Sequence, residues 1–173
     1  MNIFNKLSFF KISFHIPRWL ISFSMLFQCG FRGVSVGTRV IILDDENAVF
    51  LVKHSYLAGW YLPGGGVERG ELPVVAAKRE MEEETGIVCT SNPELWGLFL
   101  NDKLMVPDYI ACYVVRDWRW GNDEGVPSTF PSDDGEIIEG RFFRLEALPP
   151  DITRATRTRL EEWRQGRESA PFW

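Results

Sequence analysis

"GGGVERGELPVVAAKREMEEETGI" (64–87) crowds four glutamates, Glu80, Glu82, Glu83 and Glu84, into five consecutive positions. The stretch also carries helix punctuation at both ends. Proline suits a first helical turn and glycine the position just past the last, so Pro73 and Gly86 predict a helix over about 73–85. Val74, Ala77 and Met81 then share its buried face. At 100° per residue, Glu80, Glu83 and Glu84 fall within an arc of about 100°, while Glu82 points away. Three carboxylates converge.

That arrangement is costly. Glu80 and Glu84 repel as an i,i+4 pair, and all three acids lie near the negative end of the helix dipole, each effect costing roughly 0.3–1 kcal/mol. Arg79 offsets part of this. The simplest further partner is a hard divalent cation, because Mg²⁺ and Mn²⁺ prefer carboxylate oxygens. A solvated acidic face is the plain alternative for a run of glutamates. Two features oppose it. A merely solubilising face at a helix C-terminus is better served by Lys or Arg. The run also follows a glycine loop, where Gly65 or Gly66 can offer a bare carbonyl to a cation while neighbouring amides face a phosphate.

Outward from this stretch the pattern is one of short strands. "GTRVIILDD" and "NAVFLVKHS" are two β-branched apolar runs joined by the acidic turn Asp44–Asn47, which predicts a hairpin. "WYLPGGG" reads as a short aromatic strand broken by Pro63 and three glycines. Downstream, "ELWGLFLN" (94–101) and "YIACYVVRDW" (109–118) read as strands, 119–135 as a polar loop, and "GRFFRLEALPP" (140–150) as a last strand and its exit. Ile152, Ala155, Leu160 and Trp163 recur at helical spacing and close the chain. Strands mixed with two or three helices predict an α/β fold, a mixed sheet with helices packed on its faces.

The 173 residues, 45% hydrophobic and 25% charged, suit one globular domain. A net charge of −5 argues against a general nucleic-acid binder. It is unevenly spread: residues 1–43 hold five Lys or Arg and no acid, leaving 14 basic against 24 acidic residues from 44 onward. Cys29, Cys89 and Cys112 form no close pair, which fits a reducing, cytoplasmic setting and three small buried hydrophobes rather than a disulfide framework. "WLISFSMLFQCGF" (19–31) follows Lys6, Lys11 and Arg18. Thirteen residues fall short of the roughly 20 that span a bilayer. The front therefore reads as a helix capping the core, a surface for a homodimer partner, or a peripheral membrane contact through 1–30.

With those residues in place, 65–87 resembles the signature of the Nudix hydrolase family. The pattern asks for Gly, five residues, Glu, seven residues, Arg-Glu, an aliphatic residue, any residue, Glu-Glu, any residue, Gly and an aliphatic residue. Gly65, Glu71, Arg79, Glu80, Met81, Glu83, Glu84, Gly86 and Ile87 keep every spacing. The order of strands resembles the family from about 36 to 165, so the chain divides into a basic-apolar extension, 1–35, and a Nudix-type α/β/α sandwich with a mixed central sheet, 36–173. A local departure is Leu72, where Ser, Thr or Asp caps a helix better; Pro73 compensates.

The resemblance implies Mg²⁺- or Mn²⁺-dependent hydrolysis of a diphosphate linkage in a small nucleotide substrate, a nucleoside diphosphate joined to another group. By position it implies Gly65 (through its carbonyl), Glu80, Glu83 and Glu84 as metal ligands, Glu83 also as a base for water, Arg79 as orienter of the glutamates, and Glu71 as a brace between loop and helix. The family's proton acceptor often lies outside this stretch. Here "DDGEIIEGRFF" offers Glu136 and Glu139, of which Glu139 is preferred because it adjoins the predicted strand. Lys53, His54 and Arg69 flank the glycine loop and can steady a phosphate or simply be exposed. A lone His54 is no reason to propose zinc. Trp60, Trp118 and Trp120 can stack on a base or pack in the core. The rival reading is a Nudix-like domain that has lost catalysis and serves as a nucleotide sensor or adaptor.

Overall fold

The structure, a computed structural model, describes residues 33–103, 106–122, 135–166 and 170–173. The basic-apolar front through residue 32, Cys29 and most of the loop after Trp120 lie outside them. Among the described residues there are seven strands, β1 (Ser35–Ile42), β2 (Val49–His54), β3 (Ile87–Cys89), β4 (Glu94–Asn101), β5 (Asp108–Val115), β6 (Trp118–Trp120) and β7 (Ile137–Phe143). Two helices accompany them, α1 (Pro73–Thr85) and α2 (Arg154–Arg164).

β5 is the centre of a three-stranded mixed sheet, parallel to β1 from Ser35↔Asp108 to Ile42↔Val115 and antiparallel to β4. β2 pairs antiparallel with β7, and β3 with β6. The run Val40–Leu43 is buried without alternation, as expected of a strand covered on both faces. Val40, Ile42, Phe50 and Val52 pack against Ala77 and Met81 of α1. Ile41, Leu43, Val49 and Leu51 pack the other way, against Trp60, Leu62 and Leu160 of α2. The result is the expected α/β/α sandwich.

The predicted hairpin does not form as a ladder. The turn is present: Ala48 N–H and Glu46 N–H donate to the Asp44 carboxylate, and Asn47 takes a positive φ of 61°. One bridge, Leu43↔Val49, follows, and then the strands part. The wedge is the glycine segment itself. Pro63 and Gly65 carbonyls accept from Val40 and Thr38 of β1, and Val67 donates to Val36, while Tyr61 exchanges two hydrogen bonds with Val52 of β2. Residues 61–67 thus take both strand edges that a hairpin would have joined.

Two further expectations are revised. The run read as one strand over 109–118 ends at Val115, and Trp118–Trp120 forms β6, paired with β3, where the polar loop was expected from 119; Trp118 stacks on Phe142 and donates its Nε1–H to the Leu43 carbonyl. Of the cysteines, Cys112 is fully buried and free, whereas Cys89 is free but half-buried. No helix among the described residues is long and apolar enough to cross a membrane.

Candidate active site

Helix α1 begins and ends where its punctuation requires. Leu72 stands extended at the N-cap without a side-chain bond, Pro73 opens the first turn, and Gly86 closes the last in the left-handed region at φ 70°. Ala76, Ala77 and Met81 face the core, and on the flank of the same face Glu80 and Glu84 are buried as well, each with 7% exposure. Burying two acids one turn apart requires partners, and the two acids find different ones.

Glu80 belongs to an ion-pair knot around Arg79. The guanidinium donates to Glu71 at 3.0 Å through Nε and again through Nη2, to Glu80 at 2.7 Å, to Glu83 at 3.1 Å and to the Gly66 carbonyl at 3.2 Å. Glu71 also accepts from the Glu68 backbone, which fastens the loop to the helix. The Arg79 hydrogen bond holds the Glu71 carboxyl below its ordinary range, and the same contacts raise Arg79 further. Gly65 supports the knot by lacking a side chain: a Cβ there would lie 2.6 Å from the Glu80 carboxylate. Its carbonyl accepts the Thr38 backbone N–H at 2.8 Å, because the loop pairs with β1.

Among the described residues Glu84 has no such cation in contact. Its Oε2 accepts the Gly64 N–H at 2.8 Å. Gly64 needs φ 137°, and a side chain there would collide with the Thr38 backbone. Burial pushes the Glu84 carboxyl up to about 8, with Glu80 and Glu136 adding to the rise and the Gly64 N–H and Arg39 opposing it. Arg39 was not foreseen. Its Nη1 donates to the Thr38 and Gly64 carbonyls and pins the glycine loop beside Glu84.

Facing Glu84 are two residues that chain order keeps far apart. His54 ends β2 and Glu136 precedes β7; the Ser55 N–H donates to the Glu136 carbonyl at 2.8 Å and ties the strand ends together. Ligand atoms of His54, Glu84 and Glu136 lie within 4.8 Å of one another. The Tyr56 hydroxyl donates to Glu136 Oε1 at 2.6 Å. Burial, with Arg39 nearby, lowers the His54 ring to about 4, so it is neutral at neutral pH.

Glu139, the preferred acceptor from sequence, is placed elsewhere. It pairs across the ladder with Lys53 and lies 3.6 Å from Arg141. Lys53 and Arg141 both cover Trp60, which packs on the α2 side, so strand alternation turns Glu139 away from α1. Lys53 does not flank the loop either but reaches Asp151 at 3.2 Å. Arg69 is exposed. Trp60 is core, 2% exposed, and Trp118 and Trp120 pack against Phe50 and Phe142. A sequence signal for His54 did exist: in "VFLVKH" it occupies a buried position in a strand otherwise apolar on the α1 side.

The family follows from this loop, helix and sheet order. The NUDIX domain model matches residues 34–163, and the chain belongs to that family. Nudix hydrolase 25 of Arabidopsis thaliana is 44% identical over 57 residues, 32% of this chain and 33% of that protein. The RNA pyrophosphohydrolase of Roseobacter denitrificans is 43% identical over 58 residues, 32% of this chain and 34% of that protein. The chain thus matches about a third of the length of these curated relatives. Among solved structures, a MutT NUDIX hydrolase from Burkholderia pseudomallei is 27% identical with a TM-score of 0.61, over 74% of this chain and 96% of that one. A UDP-X diphosphatase at 22% identity and TM-score 0.53, over 89% of this chain and 73% of that one, shares the fold.

Proposed function

We propose that this chain is a divalent-cation-dependent hydrolase that cleaves a diphosphate linkage in a nucleoside diphosphate joined to another group. The observation that carries the reading is Glu84: a carboxylate buried beside Glu80 and Glu136 on a helix where Arg79 already holds Glu80 and Glu83. A fold does not bury an acid among acids without return, and a divalent cation is the partner whose charge and preference for oxygen fit the donors present. Glu80, Glu83, Glu84 and Glu136 would hold it, with Mg²⁺ or Mn²⁺ as the ion. When bound, such a cation neutralises phosphate oxygens and makes a water more acidic.

The protein's own residues supply the rest. Arg79 fixes Glu80 and Glu83 in orientation, and Glu71 fixes Arg79. The glycine loop brings backbone close to the acids, and Arg39 holds that loop while offering positive charge near the phosphates. Water adds to phosphorus as the bridging P–O bond breaks, and its proton passes to a carboxylate. Glu136 is proposed for that role in place of Glu139, through its Oε2, with Oε1, which Tyr56 holds, left for the cation; Glu83 is the second candidate.

The relative named an RNA pyrophosphohydrolase and the structure named a UDP-X diphosphatase have in common a diphosphate linkage, so the leaving nucleotide is the open variable. A panel of nucleoside diphosphate sugars, nucleoside triphosphates and 5′-triphosphate RNA, assayed with Mg²⁺ and with Mn²⁺, tests class and substrate together. Wild type is expected to turn over at least one small nucleotide, and Glu84→Gln to lose about 10²-fold or more of that rate. Equal background rates for both proteins across the panel would leave the sensor or adaptor reading standing.

A further inference from the structure

His54 is 8% exposed, and its Nδ1 has no hydrogen-bond partner among the described residues. A buried ring nitrogen without a hydrogen bond has lost its water and gained nothing in return, so its persistence calls for a partner outside the chain. The ring is not free to seek one by turning, because it packs between the Tyr56 and Tyr61 rings at centroid distances of 5.4 and 5.3 Å. Nδ1 stands 3.8 Å from Glu136 Oε1, beyond hydrogen-bond range. Two donors on one ion, each about 2.0–2.2 Å from it, lie roughly 3–4.4 Å apart. The spacing that fails as a hydrogen bond fits a shared cation.

We propose that His54 Nδ1 joins Glu84 and Glu136 as a nitrogen ligand, making one cation position a mixed nitrogen and carboxylate site. This rests on the hydrolase reading and deepens it by specifying the metal. Imidazole suits borderline ions and is a poor donor for Mg²⁺, so this position selects Mn²⁺, Co²⁺ or Zn²⁺ over Mg²⁺. A lone histidine on a loop does not support such a site; a buried one converging with two carboxylates does.

The chain has two histidines, so His15→Ala leaves His54 as the sole imidazole. Mn²⁺ is titrated into this full-length variant, and the bound ion is read by pulsed electron paramagnetic resonance with unlabelled and with ¹⁵N-histidine protein. The expected spectrum carries the nitrogen coupling of a directly bound imidazole, which changes isotope pattern on labelling. His54→Gln is expected to abolish that coupling with Mn²⁺ still bound, and to lose most of the preference for Mn²⁺ over Mg²⁺. Should His54→Gln not fold, the labelled pair decides alone. Bound Mn²⁺ without nitrogen coupling overturns the His54 ligand and leaves the hydrolase reading intact. Failure to bind Mn²⁺ at all overturns both.

Discussion

Two acidic clusters sit one helical turn apart on α1 and are stabilised in opposite ways. Around Arg79, three carboxylates share one guanidinium, and the knot is complete within the chain. Around Glu84, two carboxylates and an unpaired imidazole nitrogen meet, and Arg39 acts on Glu84 and His54 only through space while its hydrogen bonds go to the Thr38 and Gly64 carbonyls. Within a single sequence motif, like charges are thus handled in two ways: Glu80 and Glu83 are oriented by an arginine beside them, whereas Glu84 is buried with no contacting cation among the described residues.

The largest expected effects lie on the Glu84 side. Glu136→Gln should lower turnover by about 10²-fold, as loss of a positioned proton acceptor does. Steady-state rates that match wild type would move the acceptor's role to Glu83. Next is pH. Because burial raises the folded-state value of Glu84 from 4.5 to about 8, the folded chain keeps a proton that the unfolded chain releases within that window. The cation-free protein is therefore most stable below that window and loses stability as pH rises through it, by a few kcal/mol at most. Chemical denaturation at several pH values should show this slope, and both Glu84→Gln and saturating Mn²⁺ should flatten it.

Effects on the Arg79 side appear as stability without any cation. Arg79→Leu leaves Glu80 and Glu71 without their common partner and should cost about 2–3 kcal/mol in the cation-free protein, measured by the same unfolding curves. If the variant unfolds at the wild-type denaturant midpoint, the knot is not structural and the comparison fails. Gly65→Ala forces a Cβ into the Glu80 carboxylate and should cost about 1–2 kcal/mol, since Arg79 restrains the acid from swinging aside. Smallest of all is Glu139→Gln, which should leave turnover within about twofold of wild type, because that side chain lies on the α2 face.

The local elements were legible because their signals are local. Pro73 and Gly86 delimit α1 to the residue, and β4 spans the run read from its apolar pattern. β6 was missed because three residues, Trp118–Trp120, give too short a period to read, and their pairing partner Ile87–Cys89 lies some thirty positions away. The hairpin was misread for a related reason. A turn at Asp44–Asn47 predicts that two strands meet, but not that residues 61–67 will compete for the same edges and win. Adjacency to a strand favours Glu139 over Glu136, whereas strand alternation and the Ser55 to Glu136 tie decide which acid faces α1.

The sequence by itself determined the helix, its three converging carboxylates, the arginine among them and the glycine loop before them, because helical periodicity and turn chemistry act over fewer than ten residues. Only the tertiary structure decided which of those acids is neutralised and which is left in deficit. That choice depends on where Gly64 N–H, Arg39, His54 and Glu136 arrive, and their arrival is set by pairing between strands dozens of residues apart.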